Sequence, residues 1–210
     1  MKYYIDDNLS PISQEQLLHE LQSVSVQRKE KVLRFRYDSG RLQSLRAFQL
    51  LQKALVEEYG INEPPVFIEQ ENGKPVIEGH EDIHFNISHC KSGVACVVGN
   101  EPIGIDIENI PSDLKDGLLE YVFSKEEQDM VHNAKGMDKE GNSLSPTIMF
   151  ARLWTMKESL VKLTGRGITG KEQLVPLLNE WHKGNSDYDF IIRQNVEKGW
   201  VCSICFRKER

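Results

Sequence analysis

The spacing of apolar residues changes from helical to alternating and back along the chain, and those changes divide it. Lys2 to Ile5 reads as a short strand, after which Ser10-Pro11 opens a first helix with Leu17, Leu18 and Leu21 on its apolar side. A second helix, about Val26 to Phe35, sets Val32, Leu33 and Phe35 among Arg28, Lys31, Arg34 and Arg36. Arg28 and Lys31 are three apart and share a face. The third helix, Ser39 to Tyr59, carries Leu42, Leu45, Phe48, Leu51 and Leu55 at helical spacing and stops at Gly60. Short strands follow at Val66 to Glu69 and Lys74 to Ile77, joined across Glu71-Asn72-Gly73. Three more, Ile83 to Ile87, Val94 to Val98 and Ile103 to Glu108, complete the run, with Gly99-Asn100-Glu101-Pro102 turning between the last two.

Beyond Glu108 a second round begins. A helix near Leu114 to Tyr121 gives way to Ser124-Lys125-Glu126-Glu127, a capping box that starts another. The polar stretch Lys135 to Ser145 is expected to be a surface loop. Pro146 heads a strong helix, Thr147 to Thr164, closed by Gly165. A shorter helix (Glu172 to Trp181) precedes a terminal hairpin of Tyr188 to Arg193 and Trp200 to Phe206. Helices then strands, twice, predict an α+β fold of two halves, residues 1–103 and 104–210, although the halves show no obvious sequence repeat.

The alternation in Ile103-Gly104-Ile105-Asp106-Ile107-Glu108 sends the isoleucines to one face and both carboxylates to the other. Adjacent anions repel unless a cation or proton lies between them, and oxygen ligands without His or Cys suit Mg²⁺. The ordinary alternative is a surface strand with solvated acids. In the long helix, Phe150, Leu153, Trp154, Leu160 and Val161 form the apolar stripe, and Glu158 and Lys162 emerge together one turn apart. They read either as a helix ion pair or as a third carboxylate for a metal beside a cation for an anion. Ser88 and His89 end a strand, where a lone His is more often structural than catalytic but both could donate to a phosphate oxygen. No Walker motif is present, and no G-x-G-x-x-G follows a strand.

Composition narrows the field. Within 210 residues no apolar run approaches the ~18 residues of a membrane span. The N-terminal Met1-Lys2-Tyr3-Tyr4-Ile5 lacks a signal-peptide core, so a cytoplasmic protein is expected, with no membrane partner. A net charge of -6 argues against broad nucleic-acid binding. Local basic runs remain at Arg28 to Arg36 and at Lys157, Lys162, Arg166 and Lys171. Cys90, Cys96, Cys202 and Cys205 read as buried thiols; the Cys202/Cys205 spacing resembles a zinc pair, but residues three apart on a strand face opposite sides.

Taken in order, Asn86-Ile87-Ser88-His89, Gly104-Ile105-Asp106-Ile107-Glu108, Phe123-Ser124-Lys125-Glu126-Glu127 and Trp154-Thr155-Met156-Lys157-Glu158-Ser159-Leu160-Val161-Lys162 closely resemble the 4′-phosphopantetheinyl transferases of the surfactin-synthetase-activating type. The likeness runs from Gln27 through Asn72-Gly73-Lys74-Pro75 to about Ile168. The resemblance implies two similar α+β halves with the active site between them, the first at the adenylate end of coenzyme A and the second facing metal and carrier. Asp106, Glu108 and Glu158 would hold Mg²⁺; His89, Lys157 and Lys162 would neutralise phosphate, with Ser88 beside His89; Arg28, Lys31 and the Lys74-Pro75 turn would grip the 3′-phosphate and adenine. The family often has a basic residue at the head of the third helix. Here Gln43-Ser44 falls there, with Arg41 slightly early.

The implied reaction is attack by a serine of an apo acyl or peptidyl carrier protein on coenzyme A, in fatty-acid or secondary metabolism. Glu158, or a metal-bound water near Glu127, would take the proton. The carrier would land near Phe123 to Lys125, and the enzyme is expected to be a monomer. A Mg²⁺-dependent phosphodiesterase and a non-catalytic coenzyme A-binding module are the alternatives.

Overall fold

In the computed structural model, which describes residues 1–70, 73–115, 117–165, 167 and 171–209, strand β1 (Lys2–Asp6) leads to a helix that starts later than expected. Ser13, not Ser10, caps α1 (Gln14–Glu20): its hydroxyl accepts from the Gln16 N–H while the Gln16 side chain accepts from the Ser13 N–H. Helix α2 (Val26–Leu33) ends before Phe35 and exposes Leu33, so Val32 alone of the expected apolar trio is fully buried. Helix α3 (Asp38–Tyr59) stops at Gly60, whose φ of 69° is the left-handed conformation that glycine adopts without steric cost. Strands β2 (Phe67–Glu69), β3 (Pro75–Ile77), β4 (His84–Cys90) and β5 (Gly93–Gly99) follow. The turn residues Glu71 and Asn72 lie outside the described residues.

The chain divides into two units, Met1–Ile103 and Gly104–Arg210. In the first, β5 lies between β1 and β4 in an antiparallel sheet whose register sets Tyr4 and Ile87 against Cys96. Leu51, Ala54 and Leu55 of α3 pack on Phe85, Cys96 and Val98 of that sheet. Toward α1 and α2, the same helix buries Leu45 and Phe48 against Leu17, Leu21 and Val32. Each leucine, valine or phenylalanine so removed from water stabilises the unit by about 1.5–3 kcal/mol.

The second unit contains β6 (Ile103–Asn109, but for its first residue), α4 (Leu118–Val122), α5 (Lys125–Asn133), β7 (Gly136–Met137), β8 (Ser143–Leu144), α6 (Pro146–Thr164), α7 (Lys171–Leu174), α8 (Asn179–His182), β9 (Tyr188–Asn195) and β10 (Trp200–Arg207). Three expectations change. Helix α4 begins after Gly117 rather than at Leu114. The polar stretch 135–145 is a β7–β8 hairpin, because Asp138 accepts from the Glu140 and Asn142 N–H groups and from Arg152 of α6, and Arg152 also donates to Gln194. The helix expected over 172–181 is two short ones with Pro176, which has no N–H to donate, in the break.

Helix α6 is capped by the Ser145 hydroxyl, carries Pro146 in its first turn and ends at left-handed Gly165. It lies on a sheet in which β10 sits between β6 and β9. Val201 packs on Ile148 and Ala151, and the Thr155 and Ser203 hydroxyls meet at 2.7 Å. Trp154 and Val161, expected in the apolar stripe, are only half-buried, while Met156 and Leu163 take full core positions. Gly104 permits the closest approach: a Cβ there would stand 1.9 Å from the Ser159 carbonyl oxygen and 2.7 Å from the Leu163 nitrogen. All four cysteines are buried, and none is in a disulfide.

Candidate active site

The contact at Gly104 sets the height of α6 over β6, and the acids collect beside it. Gly104, Asp106 and Glu108 alternate onto one face of the strand, the face against which α6 runs. One turn separates Glu158 from Lys162 on α6, and Lys162 Nζ donates to Asp106 Oδ1 at 2.6 Å. Asp106 is buried and Lys162 half-buried. Burial, then the charge of Asp106, pushes the Glu158 carboxyl above its ordinary range, against a lowering by Lys162. Glu108 is raised likewise, by burial and Asp106 first and by Glu158 as well. The three acids therefore feel one another's charge, with one ammonium among them. Among the described residues no group of three or more His, Cys, Asp or Glu closes around a point as a metal cage. The donor set is nevertheless hard oxygen under mutual repulsion, the chemistry that a small divalent cation relieves.

Lys157 and Glu127 occupy a different setting from the one expected of them. Both are wholly buried. Lys157 Nζ donates to Glu127 Oε2 at 2.8 Å and lies within 3.1 Å of the Val122, Leu174 and Val175 carbonyl oxygens. It also lies 5.1 Å from the centre of the Phe123 ring. Glu127 Oε2 accepts from the Ser124 N–H, closing the capping box of α5, and Oε1 is 3.4 Å from His182 Nε2. Burial works to raise the Glu127 pKa, but hydrogen bonds from His182, Lys157 and Ser124 overcome it and hold the carboxyl below its usual range. Burial lowers Lys157, and Glu127 opposes it. An ammonium so surrounded has no proton to offer a phosphate.

In the first unit the expected cations divide. Arg28 is buried at 5 % exposure, with its guanidinium 4.7 Å from the centre of the Phe48 ring and 5.6 Å from that of Phe67. Its Nη1 donates to the Ser44 hydroxyl, and among the described residues no carboxylate pairs with it. Burial pushes its pKa down to about 10. Lys31, one turn on, is exposed yet shifted down by partial desolvation and by the Arg28 charge. Lys74 is half-buried and shifted down by desolvation, beside exposed Pro75. Arg41 is tied to its own helix start, donating to the Phe35 carbonyl and to Asp38. Ser88 and His89, neighbours on β4, face opposite sides of the sheet; Ser88 is buried and His89 exposed. Arg166, from the second basic run, lies outside the described residues, and so does the Lys171 side chain.

Sequence reasoning missed His182, which no motif flags, and Ser44, whose hydroxyl stands where a basic residue was sought. The Gly104 contact could have been found, because a glycine inside an isoleucine-rich strand signals close backbone approach.

Residues 102–205 match the family model described as the 4′-phosphopantetheinyl transferase superfamily, and residues 10–101 match that for 4′-phosphopantetheinyl transferase, N-terminal. Among individual proteins, a 4′-phosphopantetheinyl transferase of Bacillus subtilis is 33 % identical over 79 % of this chain and 70 % of its own. The 4′-phosphopantetheinyl transferase gsp of Aneurinibacillus migulanus is 31 % identical over 87 % and 76 %. The 4′-phosphopantetheinyl transferase Sfp of Bacillus subtilis (strain 168) is 35 % identical over 76 % and 68 %.

Proposed function

Because the chain belongs to the 4′-phosphopantetheinyl transferase superfamily, we propose that it transfers phosphopantetheine from coenzyme A to a serine of an apo acyl or peptidyl carrier protein, in a Mg²⁺-dependent reaction. The observation that supports this chemistry is the gathering of Asp106, Glu108, Glu158 and Lys162 where β6 meets α6. Asp106, Glu108 and Glu158 would hold Mg²⁺, which when bound supplies Lewis-acid polarisation of the diphosphate oxygens. Lys162 donates to a phosphoryl oxygen and neutralises charge that develops there. Glu158 accepts the proton of the serine hydroxyl. The serine oxygen then bonds to the β-phosphorus, the diphosphate bond breaks, and adenosine 3′,5′-bisphosphate departs.

Arg28 and Lys31 hold the 3′-phosphate: Arg28 is a desolvated cation awaiting an anion, and the Phe48 and Phe67 rings fix its plane. Lys74 and Pro75 border the adenine, Ser88 or His89 reaches a phosphate oxygen, and Arg41, already engaged at its helix start, contributes least. Neither alternative, phosphodiesterase or inert binding module, gains support from the relatives, which are named transferases.

Intact-mass analysis with coenzyme A, Mg²⁺ and a panel of apo carriers tests the reading. One added phosphopantetheine mass on a carrier is expected, and Asp106→Ala or Glu158→Ala abolishes it with folding intact. No mass gain on any carrier, or coenzyme A cleaved without a carrier, would refute it.

A further inference from the structure

The buried Lys157–Glu127 pair has a third member, His182, and together they join parts of the second unit that are distant in sequence. Lys157 belongs to α6; its ammonium lies at the C-terminal carbonyls of α4 (Val122) and α7 (Leu174), with Val175 beside them. Glu127 sits in the first turn of α5, and His182 closes α8. Two helix C-termini, each carrying partial negative charge, thus meet one ammonium, and the carboxylate completes its neutralisation. Among the described residues only His182 approaches Glu127 Oε1, since the Ser124 N–H and Lys157 both use Oε2.

Lys157 and Glu158 are sequence neighbours, so their side chains leave α6 about 100° apart. Lys157 points into the buried cluster, and Glu158 lies close enough to Asp106 to feel its charge. Fixing the first fixes the rotation of α6 about its axis, and with it the direction of the second and of Lys162 one turn on. Resting on the transferase reading above, we propose that His182 is a positioning residue which, through Glu127 and Lys157, holds α6 at the rotation that presents Glu158 and Lys162 to the diphosphate. None of the three touches the substrate. A phosphate-binding role for Lys157 would require it to leave four acceptors and a closed cavity.

The test uses the full chain with apo carrier, coenzyme A and Mg²⁺. His182→Ala is expected to lower kcat about tenfold while KM for coenzyme A stays within about twofold, since misplacement by a fraction of an ångström is felt in the transition state. His182→Gln, which keeps a donor at a similar reach, restores most of the loss. Adding His182→Ala to Glu127→Gln costs little beyond Glu127→Gln alone, because the two act through one contact. Hydrogen exchange, measured without turnover, quickens in α6 of the His182→Ala protein. The proposal is overturned if His182→Ala leaves both kcat and α6 exchange unchanged. It is equally overturned if Glu127→Gln or Lys157→Met raises KM for coenzyme A as far as Lys162→Ala does. Failure of the unaltered chain to load any carrier would sink the transferase reading instead, and the exchange result would still decide whether His182 holds α6.

Discussion

Arg28 in the first unit and Lys157 in the second are both buried cations, and they are buried in opposite ways. Arg28 lies over the Phe48 and Phe67 rings with a serine hydroxyl as its hydrogen-bond partner, and desolvation draws its pKa down. Lys157 lies against a carboxylate and three carbonyls. Burial alone therefore does not reveal what a cation does; its partners do. A cation with its acceptors supplied by the fold is a structural fastening, whereas one desolvated without a counter-charge costs stability, a cost that the proposed 3′-phosphate would offset.

The largest expected effect comes from breaking the satisfied pair. Glu127→Ala leaves the Lys157 ammonium buried without its carboxylate and is expected to cost about 3–5 kcal/mol, read by urea denaturation. Replacing both partners, Glu127→Gln with Lys157→Met, should recover much of that loss, since two neutral side chains no longer demand each other. The opposite pattern is expected at Arg28. Arg28→Met keeps bulk against Phe48 and removes an uncompensated charge, so denaturation should shift little. Affinity for coenzyme A should fall about ten- to hundredfold, the value of a charge-assisted bond of about 1.5–3 kcal/mol. The discrimination between coenzyme A and its 3′-dephospho form should vanish with it. A destabilised Arg28→Met protein with unchanged discrimination would erase the contrast.

Much of this contrast was hidden in the sequence for a physical reason. Periodicity reports which side of an element is apolar, so α3, α6 and the strands around Cys96 and Asp106 were legible from it. It does not report where a charged side chain finds partners. Lys157 and Lys162 look alike on α6, five residues apart, yet one enters a closed cluster and the other reaches Asp106. The difference depends on the ends of α4 and α7, which lie far away in sequence and whose boundaries were misread. The hairpin over 136–144 was missed similarly, because Asp138 and Arg152 organise it through a side-chain contact rather than an apolar pattern. Glu158 and Lys162, by contrast, were readable as a pair, since one helical turn places them together whatever surrounds the helix.

The smallest expected effect sharpens the comparison by adding the acids. Glu108 and Glu158 have their proton affinity raised above the ordinary 4.5 by burial and by Asp106. For an acid whose folded pKa is raised, folding favours the protonated form. The stabilisation is full below about 4.5 and is lost as pH rises through the higher folded value. Metal-free protein should therefore lose stability as pH rises from about 4.5 toward neutrality relative to Glu108→Gln, whose amide cannot ionise. Millimolar Mg²⁺ should oppose that loss at neutral pH and do least at acid pH, where protons relieve the repulsion. The expected difference is about 2–4 °C in melting temperature, the shift that 1 kcal/mol produces in a chain of this length. Arg28→Met should leave this Mg²⁺ dependence untouched, because Arg28 belongs to the first unit and is not among the charges that shift Glu108 or Glu158. Parallel melting curves for the unaltered chain and Glu108→Gln across this range, with or without Mg²⁺, would show that the three acids do not strain one another.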